Sequence, residues 1–453
     1  MDKLSDKNKT ELDDTEIVIV GGGLAGLSMA AALSSLPVNI VIVEHALSAV
    51  NQIKNKENLE KYSPSFDDRA LALSIASMKI LHNIGVLTTN DVENCTPIEH
   101  IHVSDKGHIG MLRMSAKEVG EAYLGKVIPA PLLGEKLIDF IVQAEFQANI
   151  TMLDQSSVTK VKHRSTNVGV TVQKNGELQT IDAQIVILAD GGRSTIAEQV
   201  GLPATAIDYE QIGFLANVEI DQIHKNIAYE RFTETGPLAL LPLRENEFKL
   251  VWTVSPNQKE TMLNYSDAEF LSVLQQRFGY RTGMFKKISR RISYPMHANE
   301  RAQIVSGRVA LIGNAAHSLH PIAGQGFNLG LRDVACLAEI LAEQVSNKND
   351  LGDVAALMQY QADRHQDIKR TSLFTDQLVK IFSTSVKPFA VMRTIGLLTL
   401  DKHSSLKHDL MRKLMGTSGK QFKLSKGEPL MGKETLKTKK SNITAVHFTE
   451  PSA

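Results

Sequence analysis

The sequence predicts an α/β fold (α+β overall), in which a parallel-sheet domain is interrupted by an inserted antiparallel sheet and followed by a helical C-terminal region. Three observations predict it. Ile17-Val-Ile-Val, a glycine-rich turn, a small-residue helix and Ile40-Val-Ile-Val form a strand–helix–strand unit near the start. The continuous apolar runs Ala183–Leu188 and Val309–Ile312 read as strands buried on both faces, as parallel strands are. Between them, about residues 205 to 298 change to repeated strands with aromatic punctuation, the pattern of an antiparallel sheet.

Each element has a local reason. Ile17 to Val43 carries no charged residue and is long enough to cross a bilayer, but three consecutive glycines and Pro37 break it into strand, turn, helix and strand. Met1 to Glu16 holds six acids against three lysines, the wrong flank for a secretory signal, and reads as a flexible tail over 1–14. Residues 45 to 65 are polar and read as an exposed loop. Phe66 to Ser74 is expected to enter a helix that reaches about Ile84. Ile98–Val103 and Ile109–Met114 flank Asp105-Lys-Gly107 as a hairpin. A helix is expected from about Leu133 to Ala148, then two or three alternating strands. In the inserted region, strands are expected at Phe214–Val218, Ala228–Phe232, Leu238–Leu243 and Phe248–Val254. A long helix follows from Gly326 to about Val345, and the chain stays helical to about Leu414. After Thr417, seven lysines stand against three acids, and 417–453 reads as a basic flexible tail.

Composition narrows the function. The chain has 453 residues, 50 basic and 50 acidic side chains, 43% apolar residues and 22% charged residues. That length allows two or three units with sizeable cores. Cys95 and Cys336 are the only cysteines, too few for a four-cysteine zinc or iron–sulfur cluster, and no metal site is expected. A reducing cytoplasm fits such usage. Zero formal net charge supplies no electrostatic reason to expect a nucleic-acid partner.

Four constellations carry chemistry. Gly21, Gly23 and Gly26 form a GxGxxG that ends a strand and opens a helix, and Glu44 ends the next strand 23 residues after Gly21. The glycines permit a tight turn, close approach to a pyrophosphate and close helix packing, and the acid accepts from ribose hydroxyls. This is a Rossmann-like unit, and Glu44 favours FAD or NAD over NADP. The second is Gly313-Asn314-Ala-Ala-His317 with Pro321 and Gly324-Gln325-Gly326-Phe-Asn328. It joins a strand to a second helix N-terminus, suited to the pyrimidine edge of an isoalloxazine, where charge gathers on reduction. The third, Asp190-Gly191-Gly-Arg-Ser194, lies at the carboxyl end of a buried strand, where open sheets bind ligands; taken alone it also reads as an Asx turn. The fourth is Arg69 in Asp67-Asp-Arg69, which reads equally as a surface ion pair.

Together these residues resemble the FAD-dependent aromatic hydroxylases of the para-hydroxybenzoate hydroxylase type, class A flavoprotein monooxygenases, from about residue 15 to 415. Phe66-Asp-Asp-Arg-Ala-Leu-Ala-Leu73, Ile101-His-Val-Ser-Asp-Lys-Gly-His108, Glu230-Arg-Phe-Thr233 with Gly236-Pro-Leu-Ala239, and His320–Gly330 with Arg332-Asp-Val334 narrow the likeness to the ubiquinone-biosynthesis hydroxylases. Among these the likeness is greatest to those acting on 2-polyprenyl-6-methoxyphenol.

The resemblance implies an FAD-binding domain over 15–97, 121–204 and 299–350, a substrate domain of the 98–120 hairpin plus 205–298, and C-terminal helices over 351–416. It implies that Gly21, Gly23, Gly26, Glu44, Arg69, Asp190, Gly191, Gly313, Asn314, Pro321, Gly324, Gln325, Gly326 and Asn328 hold FAD. It further implies that NAD(P)H visits as transient co-substrate without a domain of its own, and that O2 reacts through a flavin C4a-hydroperoxide to hydroxylate a polyprenylated phenol. Asn314 departs from the aspartate usual in the wider family, and Pro131-Leu132 is apolar where relatives place a polar flavin contact, so no site residue is assigned there. His317, His102 and Tyr229 are candidates for assisting phenol deprotonation, and none is assigned. So insoluble a substrate implies the membrane surface and other ubiquinone-biosynthesis enzymes as partners, with a cytoplasmic location peripheral to the inner membrane. Pro388 to Leu400 reads either as a core helix or as a face for such a partner. Three alternatives stay open: a sibling hydroxylase acting at another ring position, an FAD-dependent isoprenoid reductase or dehydrogenase without oxygen insertion, and a non-enzymatic flavoprotein within a biosynthetic complex.

Overall fold

A computed structural model describes residues 12, 15–46, 69–143, 149–382 and 387–431. The expected strand–helix–strand unit is β1 (Ile17–Val20), α1 (Leu24–Leu33) and β2 (Ile40–Val43), with both strands buried throughout. β1 pairs in parallel with β2 on one side and with Ile185–Leu188 on the other. The whole sheet runs, edge to edge, Val305–Ser306, Val309–Leu311, Ile185–Leu188, β1, β2, Ile150–Leu153. β-Branched residues fill both faces because both are covered: α1 packs with Ala130–Val142 and the long helix Gln325–Asn347, and the apolar residues Val161, Val170, Val172 and Ile181 join the same core. The carboxyl ends of β1, β2 and Ile185–Leu188 all carry site residues. A meander of Ser156–His163, Val168–Lys174 and Glu177–Ala183 bridges two of the parallel strands.

The second sheet is antiparallel apart from one parallel pair. Its order is Phe285–Ile288, Thr205–Ile220, Glu247–Val254, Gly236–Pro242, Ile227–Thr233, His100–Asp105, Met111–Ser115, with Ile292–Glu300 also paired to Thr205–Ile220. The 100–115 hairpin joins through a parallel pairing that sets His102 opposite Tyr229. Helix Asp267–Phe278 covers one face with a core of Phe214, Phe248, Trp252, Phe270 and Phe278. This helix and Lys259–Asn264 stand where the sequence reading placed no helix. The signal was present in Ser266 and Glu269, whose capping box starts the longer helix.

Other expectations change in detail. The segment entering the helix at Ile84 is first a strand, Ala70–Ser74, paired with Gly125–Pro129; the helix starts at Ile75, with Ser74 as its cap. Residues 66–68, most of the 45–65 loop and 1–11 lie outside the described residues. The helix expected from Leu133 begins at Ala130. The C-terminal region is three helices, α2 (Val354–Phe382), α3 (Lys387–Lys402) and α4 (Ser404–Leu414). The expectation of a loose tail from 417 fails over 417–431. Phe422, Leu424, Leu430 and Met431 pack into the core of the parallel-sheet domain, four scattered apolar residues too irregular to read as an element.

Candidate active site

One cavity of about 1270 Å3 runs from the glycine-rich turn to the inserted sheet and on to the C-terminal helices. At its first end, Gly21 has φ +106°, and a Cβ there would lie 2.7 Å from the Ala189 carbonyl oxygen, so the turn requires glycine. A Cβ on Gly26 would overlap the Gly21 carbonyl oxygen. Gly26 does not line the cavity, unlike the other thirteen expected cofactor residues. Its part is to let α1 close onto the turn. Gly23 starts α1 with no side-chain cap, which leaves the helix's N-terminal donors and positive dipole end facing the cavity. The Glu44 carboxylate accepts from the Gly22 N–H at 2.5 Å and from the Ala46 N–H at 2.9 Å, which fixes its position at the rim.

The second turn meets the first. Gly313, at φ +58°, would bring a Cβ within 3.0 Å of Ala25. The Gln325–Asn347 helix starts from Gly324 in the left-handed region, again without a side-chain cap. Gly324, Gln325, Gly326, Asn314 and Pro321 all face the same space. Two uncapped helix N-termini therefore converge on one cavity. Asn328 also lines the cavity, with its side chain engaged by the protein. Its Oδ1 accepts from the Ser74 N–H at 2.8 Å, and its Nδ2 donates to the Ala72 and Gly324 carbonyls at 2.8 and 2.9 Å. Asn328 ties the 70–74 strand to the helix start. The Asx-turn reading of Asp190 holds: its carboxylate accepts from the Gly192 and Ser194 N–H groups at 2.9 and 3.2 Å and from the Ser194 hydroxyl. Asp190, Gly191 and Arg69 line the cavity all the same.

Beneath the second turn lies a charge network that the sequence reading did not assign. Asp333 is fully buried and accepts from the Gly313 N–H at 2.9 Å, His317 Nε2 at 2.6 Å and Arg364 Nε at 2.7 Å. Burial pushes its carboxyl up, but His317 and Arg364 outweigh burial and hold it below the usual range. Arg364 also bonds Asp367, which Arg332 reaches in turn at 2.8 Å. The only signal was Arg332-Asp333, whose partners lie 16 to 35 residues away.

Of the three candidates for phenol deprotonation, Tyr229 lines the cavity; His317 and His102 do not. Burial pushes the Tyr229 hydroxyl up, so it stands protonated at neutral pH. His102 packs edge-on to Tyr229 at 5.7 Å, and burial followed by Arg281, Arg113 and Arg231 pushes it down to about 4. His320 is likewise neutral, pushed down to about 4 by burial, with Nδ1 accepting from the Ile322 N–H at 3.2 Å and Nε2 donating to Gln211 Oε1 at 3.1 Å. The inserted-sheet end of the cavity is mainly apolar, walled by Leu112, Met114, Leu215, Phe232, Leu241 and Val251, with Tyr229, Glu230 and Tyr294 also lining it.

A single small-molecule site typically measures ~300–1,000 Å3, so this cavity has room for a large cofactor and a second occupant. Its donor set fits FAD. Backbone N–H groups and a helix dipole face the place of a pyrophosphate, a carboxylate stands at the second strand's end, and a second helix N-terminus lies beyond. Fold and site define a dinucleotide-binding flavoprotein with an attached apolar chamber.

The chain belongs to the FAD binding domain family, whose model matches residues 14–375. It is 32% identical over 402 residues to the ubiquinone hydroxylase UbiL of Rhodospirillum rubrum, covering 89% of this chain and 90% of that protein. It is 28% identical over 402 residues to the 3-demethoxyubiquinol 3-hydroxylase of Escherichia coli, covering 89% of this chain and 98% of that one. The fold matches p-nitrophenol 4-monooxygenase PnpA of Pseudomonas putida with a TM-score of 0.72 at 18% identity, over 90% of this chain and 99% of that one.

Proposed function

We propose that the chain hydroxylates the aromatic ring of a polyprenylated phenol in ubiquinone biosynthesis, with 2-polyprenyl-6-methoxyphenol as substrate, NAD(P)H as electron donor and O2 as oxygen source. The observation that carries this reading is the single cavity joining two uncapped helix N-termini to an apolar chamber in the inserted sheet. FAD supplies the redox chemistry when bound, taking electrons from NAD(P)H and delivering them to O2. The protein's part is to hold and to exclude. Gly21, Gly23 and the α1 N-terminus receive the pyrophosphate, Glu44 the ribose, and the Gln325 helix N-terminus stabilises negative charge at the ring edge. Leu215, Leu241 and Val251 keep water from the reacting ring. Arg69, Asp190, Gly191, Gly313, Asn314 and Pro321 complete the cofactor's surroundings.

No side chain is assigned as general base, because Tyr229 is held protonated and neither His102 nor His317 lines the cavity. The substrate is delivered at the surface of the inner membrane from the cytoplasmic side, in company with other enzymes of the pathway. Among the described residues no helix is long and apolar enough to cross a membrane.

A sibling reading, hydroxylation at another ring position, is favoured by the relative named for the 3-hydroxylation of demethoxyubiquinol. Turnover of the FAD-loaded enzyme with NAD(P)H, 2-polyprenyl-6-methoxyphenol and 18O2 tests the proposal. One 18O atom in the ring is expected. Product lacking 18O would overturn oxygen insertion and leave the reductase reading.

A further inference from the structure

The cavity does not stop at the inserted sheet. A branch continues between α2, α3 and α4, walled by Phe374, Leu378, Leu397, Leu400, Leu410 and Leu414. Its outer lip is formed by Ile381, Met392 and Leu406, which line the cavity although they are 41%, 65% and 54% exposed. The branch therefore opens to the outside between helices. Val391 and Ile395 extend an apolar surface around this mouth on α3, 60% and 59% exposed.

The charged side chains along the branch are paired. Arg393 Nε donates to Asp105 at 2.9 Å and its Nη1 to the Ile381 carbonyl at 3.0 Å, and Asp409 meets Lys413 at 2.7 Å. A wall so neutralised suits a ligand with no hydrogen-bonding groups. In the middle of α3 sits Gly396, which lines the branch and has nothing within 4 Å of the place its Cβ would occupy. Glycine weakens a helix interior, and no packing against the protein requires it here. What its lack of a side chain preserves is the width of the branch.

We infer that this branch seats the isoprenoid tail of the substrate. The ring lies against the inserted sheet, the first isoprene units pass Gly396, and the remainder leaves at the Met392 lip. The inference rests on the polyprenylated-phenol reading above. An isoprenoid tail is a linear hydrocarbon without polar groups, so it needs a long apolar wall and an open end. A closed pocket would limit tail length, whereas an open mouth with an apolar rim lets the outer units remain in lipid.

The test uses full-length, FAD-loaded enzyme and two phenols with the same ring, one carrying several isoprene units and one carrying none. Gly396→Phe places a ring at the wall of the branch, from a Cβ position that meets no protein atom within 4 Å. It is expected to lower the ratio of kcat/KM for the long-tailed phenol over the tail-less one at least tenfold. A ratio within twofold of the wild type, with FAD retained, overturns the inference. A wild-type probe avoids any question of folding: a phenol whose tail ends in a benzophenone should crosslink to peptides of α3 or α4, and crosslinking confined to other segments overturns the inference. If the wild-type enzyme turns over neither phenol, the ubiquinone reading itself falls, and the tail site with it.

Discussion

Replacing Asp333 with alanine tests whether the buried charge network holds the second turn. The carboxylate accepts from Gly313, His317 and Arg364, and both Asp333 and Arg364 are almost wholly buried. The substitution leaves the Arg364 guanidinium with Asp367 and deprives the Gly313 N–H of its acceptor. Breaking a buried ion pair from one side costs about 3–5 kcal/mol. Against a total stability of roughly 5–15 kcal/mol this is large. At ~2.1 cal/mol/K of unfolding entropy per residue, 453 residues give about 1 °C per kcal/mol, so the melting temperature should fall by roughly 3–5 °C. The double variant Asp333→Leu, Arg364→Met removes both charges. It should be milder, because both variants leave the Gly313 N–H and His317 without their acceptor, and only the single variant also leaves the buried Arg364 charge without Asp333. The assay is thermal melting of FAD-loaded protein followed by flavin fluorescence. A single variant melting within ~1 °C of wild type, or a double variant melting no higher than the single, would refute the network's role.

Three further predictions come from the same geometry. Gly26→Ala forces a methyl group onto the Gly21 carbonyl, so α1 must back away from the turn; equilibrium dialysis should show FAD affinity reduced at least tenfold. Asn328→Asp turns two donated bonds, to the Ala72 and Gly324 carbonyls, into contacts between acceptors; FAD binding should weaken, with a lower melting temperature in the same direction as Asp333→Ala. His320 has a folded value of about 4 against 6.5 unfolded, so below 6.5 the unfolded chain binds a proton that the folded chain refuses. Its contribution is complete above about 6.5 and is lost as pH falls toward 4, about 3 kcal/mol in all. Urea unfolding at a series of pH values should show this slope in the wild type and a shallower one in His320→Gln.

What the sequence revealed tracks how local each signal is. The β1–α1–β2 unit and Glu44 were legible because strand, turn, helix and acid all fall within 28 residues, each determined by neighbouring residues. Asn328 was legible as a site residue but not in its role, since its partners Ala72 and Ser74 lie more than 250 residues away. A separation of 31 residues, on two different helices, hid the Asp333–Arg364 pair, and a charged dipeptide inside a helix reads as a solvated face until its surroundings are known. Ala70–Ser74 was read as entering a helix because alanine and leucine are strong helix formers and the pairing with Gly125–Pro129 that makes it a strand is non-local. The tail branch was the least legible. Leu397, Leu400, Leu410 and Leu414 belong to two helices whose apolar positions look like ordinary core, and only their arrangement around Gly396 makes a passage.

Mass spectrometry of quinone intermediates from cells lacking this gene, grown in air, tests the central claim most directly. The account predicts accumulation of 2-polyprenyl-6-methoxyphenol with loss of ubiquinone. Accumulation of a demethoxy quinone would move the enzyme to a sibling hydroxylation, and an unchanged quinone profile would contradict a place in ubiquinone biosynthesis.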